Sequence, residues 1–312
     1  MDGVELVVIW TWCPQCGDRE DQEVLEGGEL RCTKVSQGCK HCYAETIANR
    51  FWATQYPPNE DGSPRKFTDV RLHPERLDDP LSWRKPRRIF VNSMSDLFHE
   101  NVPFGFMMAV WGAIDSCKRH TFMVLTKRPE RLLAFFDWWE NDAQMLTGPG
   151  IFPNVWLGVS VEDQATADER IPLLLQTPAA VRFVSYEPAL GPVNFSEWIL
   201  PDETHPSHGI LTGDPQLDWI IMGGESGPGA RPMHPDWARS VRDQCQTVGV
   251  PFFFKQWGEF CSFEQLPEDG KGLKDTPYEP IDLGGCTVYR VGKKAAGRLL
   301  DGRTWDEFPE VM

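Results

Sequence analysis

The sequence lacks any uninterrupted apolar run of about 18 residues, so a membrane-spanning helix is not expected. Its start, MDGVELVVIWTWCP, has neither a basic leader nor a small-residue cleavage site, and a cytoplasmic protein with no membrane association is expected. Low-complexity tracts and clean linkers are also missing. Positive charge is in deficit: Lys and Arg number 31 against 46 Asp and Glu, a formal net charge of −15. A surface of that sign repels polyanions and argues against tight, sequence-independent binding of bulk nucleic acid, leaving room only for a local basic patch. Paired cysteine spacings across the chain are absent, which argues against a secreted disulfide scaffold.

What is present is a core-forming 41% of hydrophobic residues in 312, enough for one large α/β domain or two smaller ones. From about residue 88 onward a short apolar strand, a polar turn and a helical segment recur. The strands are read at Arg88–Asn92, Thr121–Thr126, Val155–Val161, Val181–Tyr186, Asp218–Gly223 and Pro251–Lys255, with a first strand within residues 4–32. Starts roughly 30 residues apart are the length of a βα repeat, and continuously apolar strands suit burial on both faces of a parallel sheet. Helices are expected at Pro103–Cys117, Pro129–Trp139, Asp163–Leu175 and Pro235–Val248. The expected fold is a single α/β domain over 1–312, a parallel (β/α) barrel of TIM type, complete or partial. Loop insertions are read at about 13–31, 53–87, 194–216 and 262–285.

Function in such folds sits on the loops that follow the strands. Here those loops carry Ser93, Ser95 and Asp96, Lys127 and Arg128, Ser160 and Glu162, Ser185 and Glu187, Gly223, Gly224 and Glu225, then Lys255 and Gln256. Ordinary caps and turns account for some of them.

Five of the nine cysteines fall within residues 13–42. Cys32, Cys39 and Cys42 precede a helix running through Ile47 to Trp52, and three thiolates on such a loop can bind three irons of a [4Fe–4S] cluster, leaving the fourth iron open. Cys13 and Cys16, in Cys-Pro-Gln-Cys-Gly, look like a zinc knuckle. With Cys39 and Cys42, separated from them by 22 residues, they form an alternative four-thiolate zinc site of a non-catalytic interaction module. They could equally be structural, redox-active or part of a second metal site.

The cysteine loop and the barrel pattern resemble the radical S-adenosylmethionine superfamily. More closely, CTKVSQGCKHCYAE, LHPERLDDPLSW, RRIFVNSMSDLFHE, VLTKRPERL, VWLGVSVED, RFVSYEPALGPV, IIMGGESGPGARPM and FFFKQWG are similar to a phage- and prophage-associated family of three-cysteine-motif proteins. The superfamily resemblance implies an enzyme that binds a [4Fe–4S] cluster, reductively cleaves S-adenosylmethionine and abstracts hydrogen from a substrate. It places His41 near the adenine and Tyr43, beside the last cysteine, among the cofactor-binding residues. Gly223-Gly224-Glu225 matches the segment that meets the methionine ammonium, although it follows about the sixth strand rather than the second, and Asp96 is an equal candidate. The spacing also departs, with six residues rather than three between Cys32 and Cys39. Lys127, Arg128 and Arg231 are expected on an anionic group, and Glu162, Glu187 and Ser160 on hydroxyls. The implied partners are a nucleotide or nucleic-acid base as substrate, a protein that delivers it, and a reductant such as a flavodoxin or ferredoxin.

Overall fold

The structure, a computed structural model, describes residues 6–9, 32–55, 62–63, 67–68, 70, 72–92, 95–143, 148–199, 216–265 and 280–310. Cys13, Cys16, the whole insertion read at 13–31 and Ser93 in the loop after Arg88–Asn92 therefore lie outside the described residues, as do parts of the other three insertions. The fold is mixed α/β, with parallel strands flanked by helices, and the chain divides into two compact units.

The first unit holds residues 1–35, 42–159 and 176–180. In it β1 (Leu6–Ile9), β2 (Arg88–Val91), β3 (Thr121–Thr126) and most of β4 (Val155–Val161) pair in chain order, all parallel. Helices α1 (Tyr43–Gln55), α2 (Phe104–Ser116) and α3 (Pro129–Asn141) connect them. Every residue of β4 is buried, as its unbroken apolar run requires of a strand covered on both faces. The segment read as a long excursion over 53–87 contributes two short 3-10 turns, Pro74–Arg76 and Asp79–Ser82. Between α2 and α3 the aromatic side chains interlock, with Trp111 and Phe135 ring centroids 5.1 Å apart. The buried Asn154 donates through Nδ2 to the Ile114 carbonyl at 3.1 Å, a second bond to the acceptor that takes the Cys117 N–H at the end of α2.

The second unit holds residues 36–41, 160–175 and 181–312. Here β5 (Val181–Tyr186), β6 (Trp219–Gly223) and β7 (Phe252–Gln256) are parallel and in chain order, with α4 (Gln164–Leu175) and α5 (Pro235–Val248). A small antiparallel sheet of β8 (Phe260–Cys261), β10 (Thr287–Arg290) and β9 (Pro280–Asp282) follows, and α6 (Lys293–Ala296) is one turn. The last described segment lies antiparallel along β7: the Phe254 N–H donates to the Trp305 carbonyl at 3.0 Å, and the Glu307 N–H to the Phe252 carbonyl at 3.3 Å. This covers the backbone edge on which a further parallel strand would pair.

Local chemistry sets the limits of α5. The His234 ring accepts the Asp236 N–H at 3.1 Å, Pro235 takes the first helical position, and Gly249 closes the helix at φ 77°. A Cβ at Gly249 would sit in the left-handed region that L side chains avoid, so Gly249→Ala is expected to cost about 1–2 kcal/mol. A urea midpoint equal to wild type would show that the cap relaxes freely. Among the described residues no helix is long and apolar enough to cross a membrane.

Candidate functional site

In the first unit, the side chains around Cys32 come from the loops after β2 and β3. Asp96 is buried, and its carboxylate accepts four bonds: Phe98 N–H at 3.0 Å, Thr126 Oγ1 at 2.8 Å, Lys127 N–H at 3.1 Å and Arg128 Nη1 at 3.0 Å. These are about as many as a carboxylate can take. The carboxylate expected to receive a ligand ammonium is thus engaged as a brace for Arg128. Held in this way, Arg128 reaches the cysteine loop through Nη1, 3.6 Å from Cys32 Sγ, and through Nη2, which donates to the Thr33 carbonyl at 3.0 Å and to Thr33 Oγ1 at 2.8 Å. Burial alone would lower the Arg128 pKa. The Asp96 and Cys32 charges outweigh it and hold the guanidinium above its ordinary value.

His99 completes this cluster, a role that sequence reasoning missed. It is fully buried; Nδ1 accepts the Asn101 N–H at 3.1 Å, which assigns the remaining proton to Nε2, 3.1 Å from Thr33 Oγ1. Burial, seconded by the Arg128 charge, lowers its pKa. His120, buried between the Arg87 N–H and the Pro80 carbonyl, is lowered for the same first reason. Both rings are therefore neutral in the folded state where the unfolded chain takes up protons, below about pH 6.5. Stability is expected to fall as pH drops through that value. Urea midpoints at about pH 7.5 and pH 5.5 check this: His99→Gln should flatten the difference, and an unchanged difference would remove His99 as a source of it.

In the second unit, residues 36–41 form a tight turn, with a 3-10 segment at Gln37–Cys39, held by groups from the carboxyl ends of β4 and β6. Ser36 Oγ donates to Glu162 Oε1 at 2.8 Å. Glu162 is fully buried and paired with Arg170, whose Nη1 lies 3.3 Å from Oε2 and donates to the Ser160 carbonyl at 2.7 Å. Gly38 lies so close to this carboxylate that a Cβ would stand 2.4 Å from Glu162 Oε1. Cys39 is buried, its Sγ 3.9 Å from Ser36 Oγ.

Arg231 binds Glu225 through Nε at 2.8 Å and Nη2 at 2.7 Å, and the same Nη2 donates to the Gln37 carbonyl at 3.0 Å. The two residues expected on a bound cofactor thus pair with each other and hold the turn. His41 packs on Gly229, which sits at φ 79° and where a Cβ would meet the imidazole at 2.7 Å. At Gly224 a Cβ would stand 1.9 Å from the Trp257 carbonyl oxygen, so this glycine is explained by the close approach of the β6 and β7 exits. Glu187 accepts from Lys255 Nζ at 2.8 Å and Gln256 Nε2 at 2.9 Å, and its carbonyl accepts from Ser160 Oγ at 3.3 Å.

Of the other expected site residues, Lys127 is half-buried and donates its backbone N–H to Asp96, Ser95 is half-buried in the loop after β2, and Tyr43 is exposed at the start of α1. Cys39 is buried, and Cys32 and Cys42 are half-buried. Among the described residues no three His, Cys, Asp or Glu side chains converge as a metal-ligand group. In donor chemistry the loop suits an iron–sulfur cluster: three thiols in eleven residues, one of them 3.6 Å from the Arg128 guanidinium.

No curated protein and no solved structure matches the chain. A family model described as a protein of unknown function, DUF5131, matches residues 28–309, starting after Cys13 and Cys16 and taking in the three-cysteine loop with every strand from β2 onward. With most of its length matched, the chain belongs to this DUF5131 family.

Proposed function

We propose that Cys32, Cys39 and Cys42 hold a [4Fe–4S] cluster and that the protein is an enzyme reductively cleaving S-adenosylmethionine to act on a nucleotide or nucleic-acid base. We read the sequential parallel strands as a partial (β/α) barrel, the setting of that chemistry. The observation that carries the reading is how the cysteine loop is fastened. In the first unit Cys32 and Thr33 are bound by Arg128, braced by Asp96, after β3 and β2. In the second unit the turn before Cys42 is bound by Glu162 after β4 and Arg231 after β6. Each fastening is at carboxyl ends of parallel strands, the end on which such folds carry function.

Cys32, Cys39 and Cys42 would hold the cluster, which would supply one-electron reducing power, drawn from an external reductant such as a flavodoxin or ferredoxin, for cleavage of the sulfonium. The protein's own residues have simpler tasks. Arg128 offsets the negative charge of thiolate sulfur, and His99 fixes Thr33 so that Cys32 keeps its orientation. Gly38 lets the turn lie against Glu162, and Gly229 sets the plane of the His41 ring, which can stack on a base. Lys255 and Glu187, paired on the exits of β7 and β5, offer a donor and an acceptor to substrate hydroxyls.

Anaerobic purification with iron and zinc analysis tests the reading. A brown protein with about four irons per chain, binding S-adenosylmethionine, is the expected result. A colourless protein with stoichiometric zinc would overturn it in favour of a zinc-held interaction module.

A further inference from the structure

We propose that the surface at the amino ends of β2 and β3 docks the phosphate backbone of a nucleic acid. Arg88 and Thr121 open these strands as register partners. Immediately before them stand Arg84, Lys85 and Arg87 on one segment, Lys118 and Arg119 on the other. The two segments are built into one surface around Trp83. Arg119 Nη1 donates to the Trp83 carbonyl at 3.2 Å, the Arg87 guanidinium lies 4.8 Å from the Trp83 ring centroid, and the His120 ring stands edge-on at 6.0 Å. His120 also accepts the Arg87 N–H, fixing the backbone between the cations.

Most of the charges there are uncompensated among the described residues. Lys118 pairs with Asp115, and Arg76, in the turn below, with Asp79. Among the described residues no carboxylate pairs with Arg84, Lys85, Arg87 or Arg119, and Arg87 Nε is buried with no hydrogen-bond partner. In a chain with an excess of fifteen acidic residues, four cations without counter-charges are free to take up an external anion.

Three of the four are arginines, whose planar fork matches phosphate oxygens. An extended anionic bilayer would face the acidic surface as well as the patch and be repelled by it. A narrow strand of phosphates can touch the four cations alone. Leu81, exposed two residues before Trp83, is the apolar side chain that a lipid surface would use here.

The patch lies a strand's length, about 20 Å over the six residues of β3, from Asp96 and Arg128 at the opposite ends of the same strands. It therefore anchors a nucleic acid away from the cysteine loop, and the inference stands or falls without any cluster.

The test is fluorescence anisotropy of the full chain, without reconstitution, against a labelled single-stranded oligothymidylate. With about four phosphates neutralised, the logarithm of affinity should fall with that of salt at a slope of about −3, an approximately fifty-fold loss between about 50 and about 200 mM. Arg84→Glu/Lys85→Glu, at two exposed positions outside the core, should keep the wild-type thermal melt while losing more than tenfold in affinity and flattening the slope, and Arg84→Lys should keep most of the binding. Absence of binding at low salt, or equal binding by the double variant, would overturn the proposal. So would competition by phosphatidylserine vesicles or polyglutamate equal to that of unlabelled oligonucleotide.

Discussion

Alanine at Cys32, Cys39 or Cys42 is expected to bring iron incorporation on anaerobic reconstitution down to background and to abolish any change in the cluster's electron paramagnetic resonance signal on adding S-adenosylmethionine. With three protein ligands for the cluster, removal of one leaves no stable site. Cys13→Ser/Cys16→Ser should keep both the iron and the spectral change, because it leaves those ligands intact. Arg128→Ala separates charge from ligation: the three thiols remain, but Cys32 loses the guanidinium 3.6 Å from its sulfur, so iron should fall only partly and Arg128→Lys should recover some of it. Full iron in any of the three alanine variants would sink the assignment. Loss of one and the same metal from the Cys13/Cys16 variant and from Cys39→Ala would point to a shared four-thiolate zinc site.

Arg170→Met should destabilise the folded chain by about 3–5 kcal/mol, the cost of stranding one partner of a buried ion pair. Glu162 is fully buried and Arg170 nearly so, and no water can replace the guanidinium at Oε2 or at the Ser160 carbonyl. The effect should reach the cysteine turn, since the same carboxylate accepts from Ser36 Oγ and lies against Gly38. Glu162→Gln/Arg170→Met removes both charges and should restore much of the loss. Urea unfolding at neutral pH is the measurement. A single variant as stable as wild type would show that Glu162 is rescued by protonation or by its other contacts.

Much of the secondary structure was legible because the strands are unbroken apolar runs and the helices carry local start and stop signals. Thr121–Thr126, Val155–Val161, Val181–Tyr186 and Pro235–Val248 occur with the bounds read from the sequence, and α3 runs two residues beyond its expected end at Trp139. Apolar strands of six or seven residues bounded by polar turns, and a helix bracketed by Pro235 and Gly249, state their limits locally. The candidate site was legible in composition and not in pairing. Asp96, Glu162, Glu225 and Arg231 stood out as charged residues after strands, but nothing local says that Glu225 is committed to Arg231 or Asp96 to Arg128. His99 left only a faint signal, a histidine three residues after Asp96.

By itself the sequence determined the βα repeat, the cysteine loop before α1 and the acidic balance of the chain, because each depends on residue type and on spacing within a few turns of backbone. Only the tertiary structure decided which charges are spent inside the protein and which face outward. Arg128 meets Thr33 from 95 positions away, Ser36 meets Glu162 from 126, and Arg119 joins Arg84 and Lys85 through Trp83. Such contacts form where parallel strands bring their ends together, and a chain in which those strands are unpaired has no local interaction that fixes them.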